Sequence, residues 1–385
     1  MREKIAEELE KLKSESLYRE MPEIEDGAGK YIMMNGRKYL NLSSNNYLGL
    51  SDYPSIKDEA EKAVRDLGTT SGASRIVTGN FSLYDKLERK TASFKNCESA
   101  LVFNSGYAAN LAVYSTFAGR NTLVFSDKLN HASIIDGIKL SGAKHIRYKH
   151  NDMADLESLL EKHKDAPEKI IATDTVFSMD GDVCPLYRLA GLAEKYGAMT
   201  IIDEAHATGV FGRGRGYAHE IGVAERIDIH MGTYSKGLGS FGGYVAGDKL
   251  LIDYLRNKGR SFIYSTSLPP AVVGASIGSL KQLAKTPEMG GRLLDAADDL
   301  RMYLMDLGFD TGKSLTQIIP VILGDNERTL RAKEFLMGKG LYVAGIRPPT
   351  VPVNTARLRL SLRLDVLDEM DMIKSAFKAL SETEI

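Results

Sequence analysis

The feature that most constrains this chain is a rhythm that starts near residue 97. Short β-rich runs, "ALVFN" (100–104), "TLVFS" (122–126), "KIIAT" (169–173), "MTIID" (199–203) and "IDIHMG" (227–232), are separated in most cases by helix-like segments. Two separators, "GYAANLAVYSTFAG" and "LYRLAGLAEKYG", carry apolar residues at helical spacing and finish on glycine, a common helix stop. Alternating strand and helix predicts an α/β fold whose largely parallel sheet is covered on both faces. Past residue 270 the pattern changes to "AVVGASIGSLKQLAK", a charged helical stretch (288–307) and the short strands "QIIPVIL", "LYVAGI" and "ARLRLSL". These predict a smaller α+β domain. The expected divisions are 1–45 (a helix and small strands), 46–285 (the large domain) and 286–385 (the C-terminal α+β domain). No internal repeat, low-complexity tract or long linker interrupts them.

Composition removes several function classes. Lys plus Arg number 50 and Asp plus Glu 51, a formal net charge of −1, so no global field draws the chain to nucleic acid or an anionic membrane. Cys97 and Cys184 stand far apart and outside any C-x-x-C spacing, and read as buried reduced thiols. The first twenty residues mix six acids with five bases, which suits no targeting address, and no stretch approaches the roughly 18 apolar residues that span a bilayer. A cytoplasmic protein without a membrane partner is expected. Ile5, Leu9 and Leu12 repeat at helical spacing and predict an amphipathic helix lying against the protein's own body.

In open α/β sheets ligands gather at the carboxyl ends of the strands. There the chain is unusually reactive: Ser105-Gly106-Tyr107 follows the first run, Asp203-Glu204-Ala205-His206 the fourth, Thr233-Tyr234-Ser235-Lys236 the fifth, and Ser178 lies beyond the third. Taken singly, each has a plain explanation as a turn glycine, a helix cap or a solvated lysine. Gly237 to Gly242 spell G-x-G-x-x-G, the basis of a remote alternative, a nicotinamide-dependent oxidoreductase. That fingerprint needs a helix to open on its glycines, whereas "GYVAG" (243–247) reads as a strand. No H-E-x-x-H and no close histidine pair with a third ligand occurs, so no metal site is expected.

The set gains meaning from its order: phosphate-binding turn, His131, strand-end Asp203, then Lys236. That combination resembles a pyridoxal-phosphate enzyme of fold type I, which needs a lysine for the Schiff base and an acid to hold the pyridinium proton. A lysine of ordinary pKa, about 10.4, is a poor nucleophile at neutral pH; desolvation and a neighbouring cationic ring lower it.

The motifs "SSNNYLGL", "SGASRIVTGN", "FNSGYAAN", "NHASIIDG", "TDTVFSMDGD", "IIDEAHATGVFGRGRG", "TYSKGLGSFGGY", "YSTSLPPA" and "IRPPTVPVNTARLRLSL" resemble the α-oxoamine synthase family, from about residue 17 onward. The resemblance implies a homodimer, with its active site at the interface, that condenses an amino acid with an acyl-CoA or acyl carrier protein thioester and releases carbon dioxide. L-alanine with a pimeloyl thioester is the pairing implied first; glycine with acetyl-CoA, or a tolerant enzyme using both, is the alternative. It also implies roles: Lys236 as the Schiff-base lysine, Asp203 at the pyridine nitrogen, His131 stacked on the ring, and His206 and Ser178 beside its phenolic oxygen. Gly106, Tyr107 and Thr233 hold the phosphate, and Thr266 reaches it from the other subunit. Asn45 and Arg359 grip the amino-acid carboxylate, a task suited to a guanidinium, while Thr350 and Arg19 lie near the acyl substrate. Asn46 stands where the family more often has aspartate.

Overall fold

A computed structural model describes residues 1–383. Strands β1 (Tyr31–Met34) and β2 (Arg37–Asn41) meet through Asn35-Gly36, both with positive φ, the two-residue turn whose twist suits a hairpin. The rhythm beyond residue 97 becomes one sheet of seven strands: β3 (Ser99–Phe103), β4 (Thr122–Asp127), β5 (Lys144–Tyr148), β6 (Glu168–Asp174), β7 (Met199–Asp203), β8 (Ile229–Thr233) and β9 (Gly243–Gly247). Their order is β3-β9-β8-β7-β6-β4-β5, and β9 alone runs against the rest.

Successive strand residues point to opposite faces, so a sheet covered on both sides needs consecutive apolar residues. Val124, Ile170 and Ile201 belong to one buried cluster, with Val113, Ile134 and Ile252 from the helices Gly106–Phe117, Ala132–Ser141 and Lys249–Lys258. Their neighbours Phe125, Ile171 and Ile202 belong to another, with Leu156 and Leu189 from the helices Met153–Lys162 and Leu186–Tyr196. The edge strand β5, only partly buried, was the one sheet strand without an apolar run to announce it.

After the sheet come β10 (Ile318–Gly324), β11 (Leu341–Tyr342), β12 (Ala344–Ile346) and β13 (Ala356–Ser361). β10, β13 and β12 form an antiparallel sheet, and β11 joins β2 in parallel. The three successive segments expected from sequence are in fact two units. One holds residues 1–45, 179–182 and 293–385, the other 46–178 and 183–292. The dividing point falls at Arg292, inside the helix Met289–Asp306, rather than at residue 285. The short insert 179–182 is held in the first unit by Arg357, whose Nη1 donates to Asp180 Oδ1 at 2.7 Å, and by Leu315 N–H on the Gly181 carbonyl at 2.9 Å. Gly181 has a φ of +67°, and a Cβ there would stand 2.0 Å from the Ile318 carbonyl oxygen, so only glycine serves.

Two expectations need correction. The helix Arg2–Ser14 forms, but it buries none of its residues: Ile5 is 54% and Leu9 41% exposed. Three apolar side chains on a short charged helix bury too little area to fasten it. Cys184 is buried as expected, whereas Cys97 is only partly so, its thiol pushed up to about 11 by burial. Among the described residues no helix is long and apolar enough to cross a membrane.

Candidate active site

The residues that line the candidate cavity all belong to the unit of residues 46–178 and 183–292. Three strand ends and two helix starts converge on a cavity of about 180 Å³. Beyond β3, Ser105 caps the helix Gly106–Phe117, its Oγ accepting the Ala108 N–H at 3.0 Å. The first N–H groups of the helix, on Gly106 and Tyr107, have no carbonyl one turn back to bond, and the helix dipole adds positive character there. Gly106 is required by close approach. A Cβ on it would lie 2.6 Å from Thr233 Cγ2, at the end of β8.

At the end of β7, Asp203 is 4% exposed. Its Oδ1 accepts the Ala205 N–H and its Oδ2 the Asn110 amide, each at 2.9 Å. Asp174 ends β6 in register with Asp203 and accepts the His131 N–H at 2.7 Å. Burial, and then the charge of Asp203, push the Asp174 carboxyl well above the usual carboxylate range. His131 caps the helix Ala132–Ser141, with its Nδ1 2.7 Å from Ser133 Oγ; burial lowers its pKa, with the Lys236 charge acting in the same direction. His206 Nδ1 sits 2.6 Å from the hydroxyl of the buried Tyr47.

Lys236 rides on the turn between β8 and β9. That turn is pinned by Tyr234 N–H on the Gly242 carbonyl, Ser240 N–H on the Tyr234 carbonyl and Gly239 N–H on the Lys236 carbonyl, at 2.9, 2.8 and 2.9 Å. Tyr234 is buried beneath it, its hydroxyl 2.6 Å from Thr91 Oγ1. The 237–242 glycines therefore shape a strand-to-strand turn. β9 follows them directly, and the nucleotide fingerprint lacks its helix.

Of the residues named from sequence, Gly106, Tyr107, His131, Asp203, His206, Thr233 and Lys236 line this cavity. Ser178 and Thr266 do not; Thr266 is exposed and bridges to Ser74. Arg19, Asn45, Thr350 and Arg359 lie in the other unit, where they pair: Arg19 Nη2 donates to Thr350 Oγ1 at 3.0 Å and Arg359 Nη1 to Asn45 Oδ1 at 3.2 Å. Sequence reasoning passed over Ser133 and Asp174, which also line the cavity, and Asn110 and Tyr47, which bond residues in it. Each stands inside a quoted motif; Asn110 lies one helical turn after Gly106. Two larger surface grooves, of about 1030 and 700 Å³, contain none of the cavity's residues, so size alone does not locate the site.

The donor set suits a phosphorylated pyridine aldehyde. A helix start stripped of side chain by Gly106 could receive a phosphate, the buried Asp203 carboxylate could meet a pyridinium nitrogen, and a primary amine opens on the same cavity. Among the described residues, no cluster of three His, Cys, Asp or Glu side chains could hold a metal ion.

The sequence family described as aminotransferase class I and II matches residues 37–370. An 8-amino-7-oxononanoate synthase of Geotalea daltonii is 51% identical over 360 residues, 92% of each chain. One of the same name from Geobacter sulfurreducens is 48% identical over 376 residues, 97% of this chain and 96% of that one. A solved serine palmitoyltransferase with pyridoxal phosphate as internal aldimine superposes with a TM-score of 0.93 at 31% identity, covering 98% of this chain and 96% of its own.

Proposed function

This chain belongs to the aminotransferase class I and II family and, within it, to the α-oxoamine synthases, and we propose on that premise that it is a pyridoxal-phosphate acyltransferase of biotin biosynthesis. It condenses L-alanine with a pimeloyl thioester to 8-amino-7-oxononanoate, carbon dioxide and a free thiol. The single observation that carries the reading is the meeting of Lys236, Asp203, His131 and the Gly106 helix start in one cavity, in a chain 51% identical to a synthase of that name.

The bound cofactor supplies an electron sink for the bonds at the amino acid's Cα. Gly106, Tyr107 and Thr233 hold its phosphate at the helix start. Asp203 would hold the proton of the pyridine nitrogen, and His131 would support the ring. His206, steadied by the Tyr47 hydroxyl, would serve the phenolic oxygen, and Ser178 is assigned to the same edge. Lys236 would be the primary amine that holds the cofactor, and its Nζ, opening on the same cavity, would take and return the proton at Cα. The backbone hydrogen bonds of the turn fix where the Lys236 side chain leaves the chain, which is positioning of the kind that lowers the entropic part of a barrier. Arg359 and Asn45 take the amino-acid carboxylate, and Arg19 and Thr350 the acyl end. Thr266 is assigned to the phosphate in the second copy of a homodimer.

The test is thiol release by the cofactor-loaded protein, crossing L-alanine and glycine with pimeloyl-CoA, a pimeloyl carrier-protein thioester and acetyl-CoA. The highest kcat/KM for alanine with a pimeloyl donor is the expected result, and the two pimeloyl donors rank each other. Preference for glycine with acetyl-CoA would keep the cofactor chemistry and overturn the substrate assignment.

A further inference from the structure

Asn110 is 1% exposed, lies on the helix that starts at the phosphate-binding turn, and takes no part in the reaction as described above. Its Nδ2 is 2.9 Å from Asp203 Oδ2 and 2.9 Å from Ser133 Oγ. A carboxylate only accepts, so the amide must turn its nitrogen, not its oxygen, toward Asp203. Both amide hydrogens are then committed, one to Asp203 and one to Ser133. Ser133 Oγ, having accepted, points its own hydrogen at the remaining polar atom within reach, His131 Nδ1 at 2.7 Å. The Ser133 backbone N–H is aimed at the same nitrogen from 3.3 Å. Two donors on one ring nitrogen leave it only a lone pair, which places the imidazole hydrogen of neutral His131 on Nε2.

We propose that Asn110 is a positioning residue that fixes the aim of the Asp203 carboxylate and the tautomer of His131 together, through one relay of donors. The inference rests on the assignment of this cavity to pyridoxal phosphate. A second observation supports it: Asn110 Oδ1 is buried with no hydrogen-bond partner among the described residues. An amide kept in place with one end unsatisfied is retained for what its other end does. The ring face and the ring nitrogen of the cofactor are thereby tied to a single side chain, held on the helix whose first residues bind the phosphate.

The experiment compares wild type, Asn110→Leu and Ser133→Ala as full chains with and without pyridoxal phosphate. Two quantities are read: the ¹⁵N shifts of the His131 ring, assigned with His131→Asn, and the cofactor dissociation constant. Wild type shows the Nε2–H pattern. Asn110→Leu loses the single-tautomer pattern and binds cofactor roughly 10- to 100-fold more weakly, as when other outer-sphere partners are removed. Ser133→Ala disturbs the tautomer but, with the Asn110 to Asp203 bond intact, changes cofactor affinity less than threefold. Unchanged ring shifts in both variants would overturn the proposal. Should Asn110→Leu not fold, an unchanged tautomer in Ser133→Ala is enough to overturn it. Failure of wild type to bind pyridoxal phosphate at all would instead refute the cofactor assignment, a separate outcome.

Discussion

Asp203 and Glu204 are consecutive acids, 4% and 0% exposed, and their surroundings are opposite in kind. Asp203 opens on the cavity and is held by neutral donors, the Asn110 amide and the Ala205 N–H. Glu204 is sealed on Lys95, whose side chain is also 0% exposed, with the Ala218 N–H at 3.0 Å and His230 Nδ1 at 3.4 Å. Lys95 in turn donates to the Arg215 carbonyl. Burial works against an ionised Glu204, but the Lys95 charge and then His230 outweigh it and hold its carboxyl well below the usual carboxylate range. One strand end thus presents two carboxylates to two environments: one left available to a ligand, the other spent on holding the fold.

That contrast breaks most visibly in activity. Lys236→Ala reduces thiol release to background, and Asp203→Ala lowers kcat/KM by roughly three orders of magnitude, as for a group acting in the transition state. Both variants keep their thermal midpoint within about 1–2 °C of wild type, a change on the order of 1 kcal/mol. Near-normal turnover by either would remove the site assignment.

Glu204→Gln has the opposite signature. It strands Lys95 as a buried unpaired charge and costs about 3–5 kcal/mol of stability in urea titrations. The double change Lys95→Met with Glu204→Leu recovers most of that loss, since a well-packed apolar pair replaces the ions without a desolvation cost. If Glu204→Gln is as stable as wild type, the division of labour between the two acids is wrong.

Smaller effects sharpen the comparison. Gly106→Ala pushes a methyl against Thr233 Cγ2, which it would meet at 2.6 Å, and raises the cofactor dissociation constant. An increase of about tenfold, or ~1.4 kcal/mol, is expected by spectral titration. The pH dependence of stability is gentler. Burial lowers His219 from 6.5 to about 4, so the unfolded chain takes up that proton first and stability falls as pH drops from about 6.5 to about 4. Glu204, also depressed, adds stability that is full above its ordinary value near 4.5 and lost as pH falls below it. His219→Gln keeps a donor for the Lys95 carbonyl and flattens only the upper part of the acid limb. An unaltered slope between pH 6.5 and 4 would show that His219 is not its source.

The strands were legible because burial on both faces writes itself as local apolar runs such as "MTIID", and β7 spans those five residues. Asp203 and Lys236 were legible because they stand at or just beyond strand ends, and His131 through its order between the phosphate turn and Asp203. What escaped reading depends on partners remote in sequence: Asn110 and Asp203 are 93 residues apart, Lys95 and Glu204 109. No periodicity records such a pairing. The Arg2–Ser14 helix shows the converse, since a helical apolar stripe states what a helix could bury and not whether anything covers it. Joining residues 1–45 to 293–385 was likewise beyond local reading, because it rests on the parallel pairing of Leu40 with Leu341.

That pairing has a consequence during synthesis. A ribosome adding about 5–20 residues per second needs roughly 15 s to a minute to travel from Leu40 to Leu341. For that interval the β1–β2 hairpin waits without its third strand, while the seven-stranded sheet, complete at Gly247, is free to close. The cavity around Lys236 can therefore take shape on the nascent chain well before the unit that carries Arg359 exists.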